Sequence, residues 1–168
     1  MKHLTEAQKK TAAEISKFVE QLRISTNAYI KEKYNTEIPK YNVKLSFAPK
    51  RVRSWGGIRG GAPWMSLALY SRYVRFSMAK AGLKYRFKEY LFIEKDPIIG
   101  DVESDSWKEP IRALFMHEAA HGIARQTGNL ISAAALQVDR KTVFSGKEVK
   151  GHGKEWRVIY RDLKMNCM

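Results

Sequence analysis

The 168 residues are 44% hydrophobic, enough for one packed core and short for two, and a single cysteine excludes a disulfide scaffold. Lys and Arg number 31 against 17 Asp and Glu, a formal net charge of +14, which suggests a polyanionic partner; nucleic acid is favoured over an anionic membrane because no basic amphipathic segment carries a strong apolar anchor. The amino terminus Met1-Lys2-His3-Leu4-Thr5-Glu6 has no apolar run, and no later stretch approaches the ~20 residues of a membrane span. The expectation is one soluble, cytoplasmic, nucleic-acid-associated domain over 1–168, with its core at about 40–165, no signal peptide and no membrane partner.

In chain order, Leu4, Ile15, Phe18, Val19, Leu22, Ile30 and Tyr34 recur at three- and four-residue steps and predict a long helix over about 4–34, with Thr5 as cap. It is expected to pack across the sheet with its lysines in solvent. Tyr41 to Phe47 alternates as a half-buried strand, and Gly56, Gly57, Gly60 and Gly61 punctuate a hairpin whose return strand runs from Trp64 to Leu69. Between Tyr70 and Tyr90 arginines and lysines (Arg72, Arg75, Lys80, Lys84, Arg86, Lys88) interleave with Tyr70, Tyr73, Phe76, Tyr85 and Phe87. Such a stretch can neutralise phosphates and stack unpaired bases, favouring single-stranded DNA, although its alternation assigns most of the rings to a core strand.

Turns at Asp96-Pro97 and Gly100-Asp101 lead to a helix over about 107–127, opened by the capping box Ser106-Trp107-Lys108-Glu109 with Pro110 in the first turn, and closed by Gly128-Asn129. Its apolar stripe is Ile111, Leu114, Phe115 and Ile123. A short helix over Leu130 to Val138 and a polar loop from Asp139 to Lys150 follow. A final helix through Lys164 buries Trp156, Ile159 and Leu163, while Arg157, Arg161 and Lys164 point elsewhere.

The predicted helix over 107–127 carries Met116-His117-Glu118-Ala119-Ala120-His121-Gly122. Histidines four apart project from one helical face, so two imidazoles can reach one ion at roughly 2.0–2.1 Å, and the glutamate beside them can move a proton for a metal-activated water. With four histidines in the chain, His-Glu-x-x-His arises by chance in about one shuffled chain in a hundred or fewer. A catalytic zinc needs a third protein ligand. A histidine six residues after His121 is excluded, because Thr127 stands there and Ala124 replaces the intervening glycine. Asp139 and Glu148 are acidic alternatives and His3 a poor one. His152 is the stronger candidate, since Gly151 and Gly153 around it allow the backbone to turn tightly towards the ion.

His-Glu-x-x-His followed by Gly151-His152-Gly153-x-x-Trp156 resembles the SprT-like metallopeptidase domain of bacterial SprT and the Spartan proteases. Arg53-Ser54-Trp55-Gly56-Gly57 followed by Trp64-Met65-Ser66-Leu67-Ala68-Leu69 is similar to the turn and apolar strand that precede the metal helix there. The resemblance covers roughly 40–165. It implies a single α+β zincin-like domain with a small, mainly antiparallel sheet, Zn2+ held by His117, His121 and His152, Glu118 as the catalytic residue, and peptide bonds of DNA-associated proteins as substrate. In such folds the strand bordering the cleft pairs with extended substrate, which suggests the strand from Trp64. Tyr160 or Arg157 is a candidate for stabilising the oxyanion. The cysteine-rich ribbon of several family members is absent, because the only cysteine is Cys167, read as a surface thiol. A nucleic-acid-binding module with a structural zinc and a zinc hydrolase of a non-peptide amide are the alternatives.

Overall fold

A computed structural model of the chain describes residues 6–34, 42–46, 55–59, 62–68, 74–75, 85–87, 98–127 and 152–167. They form three helices, α1 (Glu6–Tyr34), α2 (Lys108–Thr127) and α3 (Lys154–Cys167), and six short strands. The strands are β1 (Asn42–Ser46), β2 (Trp55–Arg59), β3 (Ala62–Ala68), β4 (Val74–Arg75), β5 (Tyr85–Phe87) and β6 (Val102–Ser104). Leu4, Thr5, the short helix expected over 130–138, the loop over 139–150 and most of the basic aromatic stretch lie outside the described residues.

The expected hairpin is present: β2 and β3 pair antiparallel, Gly57 opposite Trp64 and Arg59 opposite Ala62. One small, mainly antiparallel sheet is too simple a description, because the strands form two three-stranded sheets, in the orders β1-β3-β2 and β4-β5-β6. The β1–β3 pair is parallel, with Val43 opposite Met65 and Leu45 opposite Leu67. Strand β3 therefore has a neighbour along each side. Its backbone groups are committed to β1 and β2, so the strand from Trp64 cannot be the one that accepts an extended peptide.

Helix α2 is the element around which the rest packs: it meets α1, α3 and strands of both sheets. Its expected stripe of Ile111, Leu114, Phe115 and Ile123 is buried, but so are Ala113, Met116, Ala119 and Ala120, so the helix is covered nearly all round. Alanines permit this. They let neighbouring elements approach the axis while each large apolar side chain contributes roughly 1.5–3 kcal/mol on burial. The start of α2 departs from the capping box: Ser106 Oγ accepts from Lys108 N (3.2 Å), Trp107 O accepts from Ile111 N (3.3 Å), and Glu109 turns to Arg112 (3.6 Å). A serine bonded two residues on makes a local turn ahead of the helix.

Helix α1 buries Ile15, Val19, Leu22, Thr26 and Ile30 and leaves most of its lysines in solvent. It packs on α2 and α3 and meets the sheet at β1, a lesser contact with strands than expected. Its carboxyl-terminal turns are tied to α3 by a polar clamp. Buried Asp162 accepts from Lys33 Nζ (2.5 Å), from Tyr29 Oη (3.1 Å to each carboxylate oxygen) and from Asn166 Nδ2 (3.1 Å), and Lys33 Nζ also donates to Tyr29 Oη (2.8 Å). Burial alone would lower the pKa of Lys33, but its hydrogen bonds to Asp162 and Tyr29 outweigh this and raise it. Cys167 is half-buried against the core beside this clamp. Burial first, and Asp162 second, push its thiol up to about 11, so it is not the free surface thiol the sequence suggests.

Candidate metal centre

His117 and His121 stand on one face of α2, and His152 lies two residues before α3. Their candidate ligand atoms all fall within 4.8 Å of one another. The facing nitrogens of His117 and His152 are both Nε2, 3.3 Å apart. Two nitrogens bound tetrahedrally at 2.0–2.1 Å to one ion would be separated by about that distance. Lone pairs that meet so closely repel unless a proton or a cation stands between them. The three histidines are thus close enough to bind a metal ion, and imidazole suits zinc, copper, iron and nickel.

The surroundings of the cluster are aromatic. Phe87, Trp156 and Tyr160 stand roughly edge-on to the His117 ring, at centroid distances of 5.9, 4.8 and 5.4 Å. Trp156 also stacks on His121 at 5.2 Å and 26° and meets His152 edge-on at 4.5 Å. These rings leave little solvent at the site: His117 and Glu118 are each 4% exposed and His152 is 9% exposed, while His121 is partly open. Access among the described residues is therefore greatest on the His121 side. In an enclosure of low dielectric a bound cation and a neighbouring carboxylate interact more strongly than in water.

Helix α3 is tied to the backbone of α2 by two side chains. Trp156 Nε1 donates to the carbonyl of His117 (3.2 Å), and Tyr160 Oη donates to the carbonyl of Ala113, one turn earlier (3.4 Å). The start of α3 is secured by Arg157 N donating to Gly153 O (3.1 Å). Gly153 itself does not lie in the left-handed region, and an added Cβ would meet Glu155 Oε2 at 3.6 Å, an ordinary contact. The tight glycine turn expected there is not required at 153; Gly151 lies outside the described residues.

Of the sequence-predicted site residues, His117, His121 and His152 come together, and Glu118 is buried next to His117 on the same helix. Asp139, Glu148 and His3 lie outside the described residues. Tyr160 is a poor oxyanion candidate, because its hydroxyl is fully buried and spent on a helix carbonyl. Arg157 and Lys164 are both buried, and Lys164 Nζ reaches Gly100 O (3.4 Å) from above the Tyr160 ring. The aromatic surround escaped the sequence reading apart from Trp156, which stands in the same Gly-His-Gly-x-x-Trp string as His152.

Compared with family models, with curated proteins and with solved structures, the chain gives no match. No helix among the described residues is long and apolar enough to cross a membrane.

Proposed function

We propose that the chain is a zinc metallopeptidase with a zincin-like domain of the SprT-like kind. The observation that carries the reading is the convergence of His117, His121 and His152, with the buried Glu118 next to His117 on the same helix. Three histidines leave one tetrahedral position for water, the arrangement of a catalytic rather than a structural zinc. Zinc, when bound, lowers the pKa of its water to about 7 and polarises a carbonyl. Glu118 accepts the proton from the attacking water and later delivers it to the leaving amine. Trp156 holds the imidazoles, the surrounding aromatic rings exclude bulk water, and the peptide enters from the side of His121.

DNA is the proposed partner. Its support is the net charge of +14, with the densest interleaving of cations and aromatic rings between Tyr70 and Tyr90. Phe87 contributes no exposed ring, being 3% exposed in the core. The test joins metal analysis to cleavage of an unstructured peptide with and without single-stranded DNA. Stoichiometric zinc and hydrolysis abolished by chelation are expected, with a log affinity for the strand that falls linearly with log salt, at a slope near −0.7 per phosphate contact. Replacing Arg72, Arg75, Lys84 and Lys88 should flatten that slope and spare cleavage of the free peptide. Zinc-loaded protein that hydrolyses no peptide in either condition would defeat the protease reading. Chelation that unfolds the chain would favour the structural-zinc module instead.

A further inference from the structure

Trp156 is in ring contact with all three histidines and is hydrogen-bonded to the helix that carries two of them. We propose that Trp156 is the positioning residue of the metal centre, fixing the orientation of the imidazoles before any ion arrives. The inference rests on the metal reading above and needs no assumption about the substrate.

The hydrogen bond is the first part of the argument. A buried indole N–H requires a partner, and many backbone or side-chain acceptors could satisfy one. Here the acceptor is the carbonyl of His117, at 3.2 Å. In an α-helix the carbonyl of residue i accepts from the amide of residue i+4, so this oxygen is also the one that closes the turn onto the amide of His121. A single indole thereby pins the turn from which both helical ligands project.

Ring packing is the second part. Stacking at 5.2 Å and 26° limits rotation of His121, the least buried of the three, and the edge contact at 4.5 Å walls His152. The ring stands 4.8 Å from His117 as well. His152 has no helix of its own to orient it, since α3 begins two residues later. Trp156 lies in the first turn of that helix, so the same side chain links the third ligand's segment to the other two. A tryptophan chosen only to fill volume would satisfy none of these relations in particular. Outer groups that orient metal-bound histidines commonly contribute 10–100-fold to metal affinity.

The experiment titrates metal-free protein with Co2+ in competition with a chelator and records the visible d–d absorption, whose intensity and position report ligand geometry. Trp156→Phe keeps a ring and loses the hydrogen bond; Trp156→Leu loses both. Tyr160→Phe is the control, removing a comparable buried hydrogen bond between α3 and α2 while keeping its ring beside His117. The expected result is binding about tenfold weaker in W156F and about a hundredfold weaker in W156L, each with an altered d–d spectrum, against wild-type affinity and spectrum in Y160F. Circular dichroism establishes that each variant is folded, and if W156L is not, W156F and Y160F alone decide. Wild-type affinity and spectrum in folded W156F would overturn the proposal, as would an equal loss in Y160F, which would reduce the effect to helix packing. Wild-type protein that fails to bind Co2+ would instead remove the metal reading on which both proposals stand, while failure to find a cleavable peptide would leave this result untouched.

Discussion

Two polar inclusions interrupt the apolar packing around α3, and they are built in opposite ways. The clamp between α1 and α3 surrounds one carboxylate, that of Asp162, with donors from Lys33, Tyr29 and Asn166, until its oxygens are occupied. The cluster between α2 and α3 brings three imidazoles to one point, two of them with the same nitrogen facing inward at 3.3 Å, and walls them with aromatic rings. A buried charge that is neutralised and hydrogen-bonded by its neighbours stabilises a fold. Like donors aimed at a common centre do not neutralise one another, and on the proposed reading they serve to hold an ion.

Changes to the cluster should therefore alter chemistry and spare the fold. The largest expected effect is that of Glu118→Gln, which should lower the rate of peptide hydrolysis by about 10²–10⁴-fold while zinc content and thermal midpoint stay near wild type. Steady-state kinetics beside metal analysis would check it; activity within a few-fold of wild type would remove Glu118 from its role. His152→Ala should weaken metal binding by more than about a hundredfold, since loss of a ligand exceeds loss of the groups that orient one. Full occupancy in that variant would move the third ligand to Asp139 or Glu148.

Changes to the clamp should do the reverse. Asp162→Ala leaves Lys33 and Tyr29 without their shared acceptor and should cost about 2 kcal/mol, less than a fully buried pair because Lys33 retains some contact with solvent. For a chain of this size that is a fall of roughly 4–8 °C in thermal midpoint, with metal affinity unchanged. Altered metal affinity in that variant would mean that the two inclusions are coupled through α3.

The smallest effect sharpens the comparison by pH. Cys167 beside the clamp has its thiol raised from 9.0 to about 11 in the folded chain. The sign follows from the unfolded thiol losing its proton first: the contribution to stability is complete below pH 9 and is lost as pH rises towards 11. Lys33, also raised, acts in the same direction above its ordinary value of 10.5. Alkylation rates of native protein against pH should have their midpoint near 11, and denatured protein near the ordinary thiol value. A native midpoint at or below 9 would mean that Cys167 is open to water.

How much of this could be read from the sequence follows the range of the interactions. Helical periodicity located α1, α2 and α3 within a few residues, and glycine spacing located the β2–β3 hairpin, because both are local. His117 and His121 were legible for the same reason, and His152 because glycines mark it. The parallel β1–β3 pairing was not legible, since alternation in a strand says nothing of its partner. Nor was the burial of Arg157 and Lys164: the spacing says only that they leave the stripe of Trp156, Ile159 and Leu163, and the carbonyl of Gly100 and the ring of Tyr160 reveal where Lys164 goes. The sequence reading of α2 named only its large apolar side chains, whereas the small size of Ala113, Ala119 and Ala120, all buried, is what allows the helix to be enclosed.

The distance along the chain between the ligands has a consequence for the order of assembly. His117 and His152 are 35 residues apart, and the indole that orients them lies four residues further on. At about 5–20 residues per second, the 31 residues from His121 to His152 leave a nascent chain with only the two-histidine half of the site for about 1.5–6 s. During that interval a captured ion has two protein donors and no aromatic wall, and exchanges readily. On the proposed metal reading, docking of α3 onto α2 completes the site, and metal retention during refolding would report the formation of that contact.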